Sequence, residues 1–208
     1  MARINHLFDS GQGKLGNLVF YKVNGQGIVR TKPVHFRDKK SPAQLSQRQR
    51  LKVINGFLSH FNGLIKKTFQ PLTENRSARA EALSYNLCNG TTGEYPEIKI
   101  DKQKVLLSHG PLPLPKGVVA RIHPEGLLIQ WNNGDEAVGN SSRDTLVLML
   151  LDEITNHCEY KFTDVPRSAG EYVWKLSVPL TEDQLPDVWI AFRNRDETLM
   201  CNSMYAGK

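Results

Sequence analysis

Cysteine is scarce. Cys88, Cys158 and Cys201 are odd in number, far apart and outside any Cys-x-x-Cys spacing, which argues against a disulfide framework or a zinc site. No run approaches the roughly 20 apolar residues of a membrane helix. No apolar core follows residues 1–6, as a secretory leader would require. A cytoplasmic location, or a place within a particle assembled there, is therefore expected. The six histidines are scattered: none forms His-x-x-x-His or His-Glu-x-x-His, and Gly-x-Ser-x-Gly does not occur. His157-Cys158 is a neighbouring pair, but adjacent strand residues point to opposite faces, which disfavours a nucleophile–base contact. No catalytic residue, cofactor site or metal ligand is assigned, and a non-enzyme is expected.

Acidic residues are nearly missing from the first third. Residues 1–68 hold 13 Lys+Arg against 2 acidic residues, and the remainder holds 14 against 19, which together give the net charge of +6. Such asymmetry points to an acidic partner or to attraction between parts of the chain. Arg37, Lys39, Lys40, Arg48, Arg50 and Lys52 are the candidate contacts to an acidic protein or to nucleic acid. Phe36 is the one aromatic among them, so sequence-independent phosphate contact is the form nucleic-acid binding would take.

What is there begins with a hairpin. Residues 15–23 and 27–32 read as strands joined by Asn24-Gly25, the pair a type I′ turn favours. Both faces carry apolar side chains, and a lone hairpin is marginal in water. A cover is therefore expected from the following helix and a second helix or partner subunit. Gly11-Gln12-Gly13-Lys14-Leu15-Gly16 matches Gly-x-Gly-x-x-Gly, but a strand follows it where the dinucleotide fingerprint needs a helix. Its glycines are read as turn formers.

Ser41-Pro42-Ala43-Gln44 marks a helix start, with a capping serine, proline at the first position and Gln reaching back. Leu51, Ile54, Leu58, Phe61 and Ile65 then form one apolar stripe at helical spacing. A break is expected near Asn62-Gly63, because helix-interior glycine costs about 1 kcal/mol. A second helix over residues 74–87, capped by Thr73 and facing Ala78, Ala82 and Tyr85 inward, completes a helical hairpin. Short strands follow at residues 98–100 and 105–108. Pro111-Leu112-Pro113-Leu114-Pro115 is read as a rigid spacer. This places a basic α/β module at residues 1–110 and a second domain at 117–208.

From residue 117 the pattern becomes period-two strands at 118–123, 127–132, 145–151, 158–163, 172–178, 188–194 and 199–205. Seven short strands of this kind predict an antiparallel sandwich. Trp131 and Trp174 are assigned to its core. Trp189 is the candidate surface aromatic.

Residues 117–208 resemble a fibronectin type III or immunoglobulin-like sandwich, with Trp131 on the second strand and Leu185-Pro186 before the penultimate one. Trp189 stands where that family's tyrosine corner is expected, so the corner hydrogen bond is absent from the resemblance. The whole chain resembles an uncharacterised bacterial domain-of-unknown-function family of about 200 residues. That similarity rests on Gly13-Lys14-Leu15-Gly16-Asn17, Val19-Phe20-Tyr21-Lys22, Val29-Arg30-Thr31-Lys32-Pro33, Ser41-Pro42-Ala43-Gln44, Gln47-Arg48, Phe57-Leu58 and Asn202-Ser203-Met204-Tyr205-Ala206-Gly207. Its glycine hairpin and Gln-Arg helix are also similar to modules of phage-derived proteins.

The fold class expected is α+β: an N-terminal β-hairpin with a helical hairpin, then an Ig-like antiparallel sandwich. The role expected is that of a non-enzymatic structural or interaction protein in a larger assembly, with a protein partner or self-association and no membrane. Two alternatives stay open. One is nucleic-acid binding by the basic loop and helix; the other is small-molecule or carbohydrate binding by loops of the sandwich.

Overall fold

The computed structural model describes residues 2–3, 12–23, 25–34, 38–69, 76–133, 139–177 and 185–207. It is α+β with several antiparallel sheets, and the chain divides into two compact units, Met1–Ser41 and Pro42–Lys208.

The N-terminal unit is one antiparallel sheet. Its strands are β1 (Ala2–Arg3), β2 (Gly13–Leu15), β3 (Leu18–Val23) and β4 (Gln26–Thr31), in the order β1-β4-β3-β2. The Gly-x-Gly-x-x-Gly stretch is used here for strand and turn. Gly16 takes φ 58° between β2 and β3, a conformation few L-residues adopt, and Gly25 takes φ 79° in the β3–β4 turn. Asn24, the other half of that turn, lies outside the described residues.

The C-terminal unit starts with α1 (Pro42–His60), proline first as the capping pattern foretold. Phe61 interrupts the helix at φ −106° and α2 (Asn62–Thr68) follows, so the expected break is present. The stripe Ile54, Leu58, Phe61 and Ile65 is wholly buried, whereas Leu51 is exposed. The third helix, α3 (Ala78–Asn89), is capped by Ser77, whose hydroxyl accepts from Ala80 N at 3.2 Å. The helix thus begins later than the Thr73 start predicted; Thr73 itself lies outside the described residues. It packs on α1 and α2 through Ala82, with Ala78 and Tyr85 partly buried.

A small ribbon, β5 (Thr91–Thr92) with β6 (Lys99–Ile100), leads to the strands proper. Two sheets follow. The first joins β7 (Lys116–His123), β8 (Gly126–Asn132) and β11 (Glu171–Trp174) in the order β11-β8-β7; the second joins β9 (Thr145–Asp152), β10 (His157–Pro166), β12 (Asp187–Arg193) and β13 (Met204–Tyr205) in the order β10-β9-β12-β13. Each of the seven predicted runs contains one of these strands, but the run at 172–178 is a strand only as far as Trp174 and that at 199–205 only at Met204–Tyr205. Residues 105–108, read as a strand, are instead an irregular buried strap.

Residues 146–151 of β9 and 188–192 of β12 are buried on both faces, as central strands covered from two sides must be. Phe192 meets Trp131 of β8 edge-on at 5.6 Å, and Trp189, an odd number of residues away and so on the opposite face, meets Phe57 and Phe61 of the helical layer. The α1 stripe expected to cover the hairpin is thus used inside the C-terminal unit.

The proline run is not a free spacer. Leu112 N donates to Met200 O (3.1 Å), Pro113 O accepts from Arg167 Nη2 (2.7 Å), and Pro115 is buried. One hydrophobic cluster reaches from Ile54 to Ala206 across it. The compact division therefore falls at Ser41/Pro42 and not at the 110/117 boundary proposed from composition. A proline-rich segment supplies carbonyl acceptors and apolar rings, so it serves as well for edge packing as for spacing.

Candidate interaction surfaces

The N-terminal sheet sorts its side chains by register, because residues opposite each other in an antiparallel pair share a face. Phe20 opposes Gly13 and Val29, and Leu18 opposes Leu15 and Thr31. One face therefore presents Leu15, Leu18, Phe20 and Val29. On the other, Val19 is flanked by Lys14 and Arg30, Tyr21 opposes Ile28, and Val23 opposes Gln26. Leu15 is 70% exposed, Leu18 and Val23 are also exposed, and Val19, Phe20, Tyr21, Ile28 and Val29 are only partly covered. No described residue of this unit is buried.

The unit also holds the net charge of the protein. Residues 1–41 contain eight Lys+Arg and two acidic residues, so of the chain's 27 and 21 the remainder keeps nineteen of each, and the full +6 sits on these 41 residues.

Of the six basic candidates, Arg37 lies outside the described residues. Lys39 and Lys40 are exposed in the N-terminal unit; Lys40 sits at φ 47° with its N–H on Asp38 Oδ1. Arg48 and Lys52 are exposed on α1 and one helical turn apart. Arg50, between them in sequence, is partly covered, and its Nε has no acceptor among the described residues.

Trp189 is not a surface aromatic. It is fully buried, with Nε1 donating to Lys102 O at 3.0 Å. The correction has a simple cause: the helices cover the face of β12 that was read as outward.

The polar constellations of the C-terminal unit are tied into its framework. Lys102 Nζ lies 2.5 Å from Asp187 Oδ2 and 3.2 Å from Glu153 Oε1, and Tyr205 Oη donates to Asp187 Oδ1 at 2.7 Å. Burial opposes the Lys102 ammonium, but the hydrogen bonds and charges of Asp187 and Glu153 outweigh it and raise its pKa. Burial and then Asp187 raise that of Tyr205, which keeps the phenol a proton donor. Arg167, absent from the sequence reading, is wholly buried and stacks 4.3 Å over Phe192, 3.8 Å from Asp144. Its Nε and Nη1 have no acceptor among the described residues. Nothing in the sequence pattern marks it, because only the tertiary fold brings residue 167 beneath β12.

The Cys158 thiol donates to His60 O, and burial, then the neighbouring Glu159 charge, push it up to about 11. It is therefore a protonated thiol at neutral pH and not an activated nucleophile. No group of three or more metal-ligating side chains is assembled among the described residues. Among the same residues, no helix is long and apolar enough to cross a membrane.

The model of one protein family, described as "Family of unknown function (DUF6266)", matches residues 10–207. No curated protein and no solved structure matches the chain.

Proposed function

We propose that this chain, which belongs to the family of unknown function DUF6266, is a non-enzymatic interaction protein whose basic N-terminal sheet docks on an acidic protein surface within a larger cytoplasmic assembly. The observation that carries the reading is the N-terminal sheet itself. It has apolar side chains on both faces and no buried residue among those described, and the 41-residue unit it belongs to holds all of the net positive charge. A sheet needs a second layer against its apolar face. Val19, Tyr21 and Ile28 form an apolar strip flanked by Lys14 and Arg30, which fits a partner with apolar residues ringed by carboxylates. A second copy of the same sheet is disfavoured, since it would bring +6 against +6.

The C-terminal unit is read as a fibronectin type III-like sandwich. In immunoglobulin lettering its sheets run A-B-E and C′-C-F-G, the fourth strand pairing with the third instead of the fifth. Folds of this class are scaffolds, so the reading rests on the sheet and not on the sandwich.

The test places a photo-crosslinking residue at position 21, or at exposed Glu171 as control, in the native cell. The expected result is one acidic protein captured from position 21 only. It should rebind the purified full chain, lose at least tenfold in affinity with Lys14→Glu/Arg30→Glu, and weaken with salt. A captured protein whose affinity ignores both charge reversal and salt overturns the proposal. Nucleic acid captured instead, with log K falling by about 0.9 per neutralised duplex phosphate per log unit of salt, replaces it with the nucleic-acid reading.

A further inference from the structure

The C-terminal unit carries a groove of about 540 Å³ between α3, residues 103–106 and β13. That is within the size range of small-ligand sites, roughly 300–1,000 Å³. Three of its polar groups, the Gln103 amide, Asn202 Nδ2 and the Tyr85 hydroxyl, are unspent among the described residues. The Gln103 side chain is exposed and makes no hydrogen bond among the described residues. Asn202 commits Oδ1 to His109 Nδ1 (2.9 Å) and Gly110 N (3.2 Å), and its Nδ2 has no acceptor among them. Tyr85 stacks on His109 with ring centroids 6.1 Å apart, and its hydroxyl likewise has no partner. Leu106, Leu114 and Met204 supply apolar wall. The single cation among the described lining residues, Lys104, is already paired with Asp101 at 3.2 Å.

We propose that this groove binds a neutral, hydroxyl-rich small molecule of the mono- or disaccharide class. A primary amide offers a donor and an acceptor on one plane, which suits neighbouring hydroxyls that each donate and accept. An ionic ligand finds no uncompensated counter-charge here. A wholly apolar one would strip water from the two amides and the phenol without replacing their bonds, a loss that disfavours it. The C–H faces of a sugar ring instead lie against Leu106, Leu114, Met204 and the Tyr85 ring. The groove is open to water on one side, so affinity in the millimolar range is expected. This inference concerns the C-terminal unit and stands or falls apart from the N-terminal docking surface.

The experiment titrates the ¹⁵N-labelled full chain with glucose, galactose, N-acetylglucosamine and cellobiose. Glucuronate and a neutral tripeptide serve as controls. The side-chain amide signals of Gln103 and Asn202 should shift together and saturate with at least one neutral sugar and with neither control. Gln103→Ala and Tyr85→Phe remove no hydrogen bond within the protein, so each should weaken binding several-fold at unchanged melting temperature. Failure of every neutral sugar to give a saturable shift overturns the proposal. So does binding undiminished in both variants, or a preference for glucuronate or the peptide.

Discussion

Trp189→Ala tests whether the helical layer is held by the ring that sequence placed on the surface. Trp189 is fully buried, edge-on to Phe57 at 5.7 Å and Phe61 at 6.2 Å, and its N–H serves the Lys102 carbonyl. Removing a buried tryptophan costs about 3–5 kcal/mol. The edge contacts add about 0.5–1.5 kcal/mol each beyond their area, and the Lys102 carbonyl loses its donor, so the upper end, about 5 kcal/mol, is expected. For a unit of this size each kcal/mol moves the melting midpoint by about 2–4 °C, which gives a fall of roughly 10–20 °C. Urea unfolding followed by far-ultraviolet circular dichroism gives the free energy, provided the slope is unchanged. Amide exchange across α1 gives the location. Trp189→Phe keeps part of the packing but not the N–H and should fall between the two. A loss below about 1 kcal/mol would refute burial of this ring in a working core. A large loss with α1 exchange unchanged would refute docking of the helix through it.

Asn86→Ala removes a side chain that is wholly buried in α3 and bridges to the strap: Nδ2 donates to Leu106 O (2.8 Å) and Oδ1 accepts from Leu106 N (2.8 Å). Each of the two backbone groups left unpaired costs about 1–3 kcal/mol, so a loss of roughly 2–6 kcal/mol by urea unfolding is expected. Burial raises the Cys201 thiol to about 11 and raises the Tyr205 phenol as well. Both groups hold protons more tightly folded than unfolded, so the stability they contribute is complete at neutral pH and declines as pH climbs above about 9 towards 11. Melting curves between pH 7 and pH 11 should show this decline, and Cys201→Ala should make it shallower; an identical alkaline profile would show that the thiol is not titrating.

The strands were legible because apolar runs between turn signals mark them, alternating in β8 and continuous in β9 and β12, although the run at 199–205 forms a strand only at Met204–Tyr205. The same signal misplaced Trp189. The run Val188-Trp189-Ile190-Ala191-Phe192 is apolar without alternation, the mark of a strand covered on both faces, as β9 also is. Its second cover is the α1 stripe, more than 120 residues away in sequence, which local reading assigned to the hairpin next to it. Asn86 and Arg167 were invisible for a related reason. A polar residue in a helix or turn looks solvated until the fold brings acceptors to it, and their partners, Leu106 and Pro113, are 20 and 54 residues distant. Of the basic candidates, composition identified the charge but not its division. Neutrality of everything after Ser41 appears only once the compact units are known.

The pairing of Phe57 and Phe61 with Trp189 has a consequence for synthesis. The helix is made first, and the strand that covers its apolar stripe emerges some 130 residues later. At about 5–20 residues per second, the stripe waits roughly 7–26 s with no sheet to meet. The outer edge of β12 waits further for Met204 and Tyr205, which pair with Ile190 and Trp189. A nascent chain of this kind presents a greasy helix while some 130 further residues are made, and then briefly an unclosed strand, so its yield in a cell should depend on holdase chaperones more steeply than its final stability suggests.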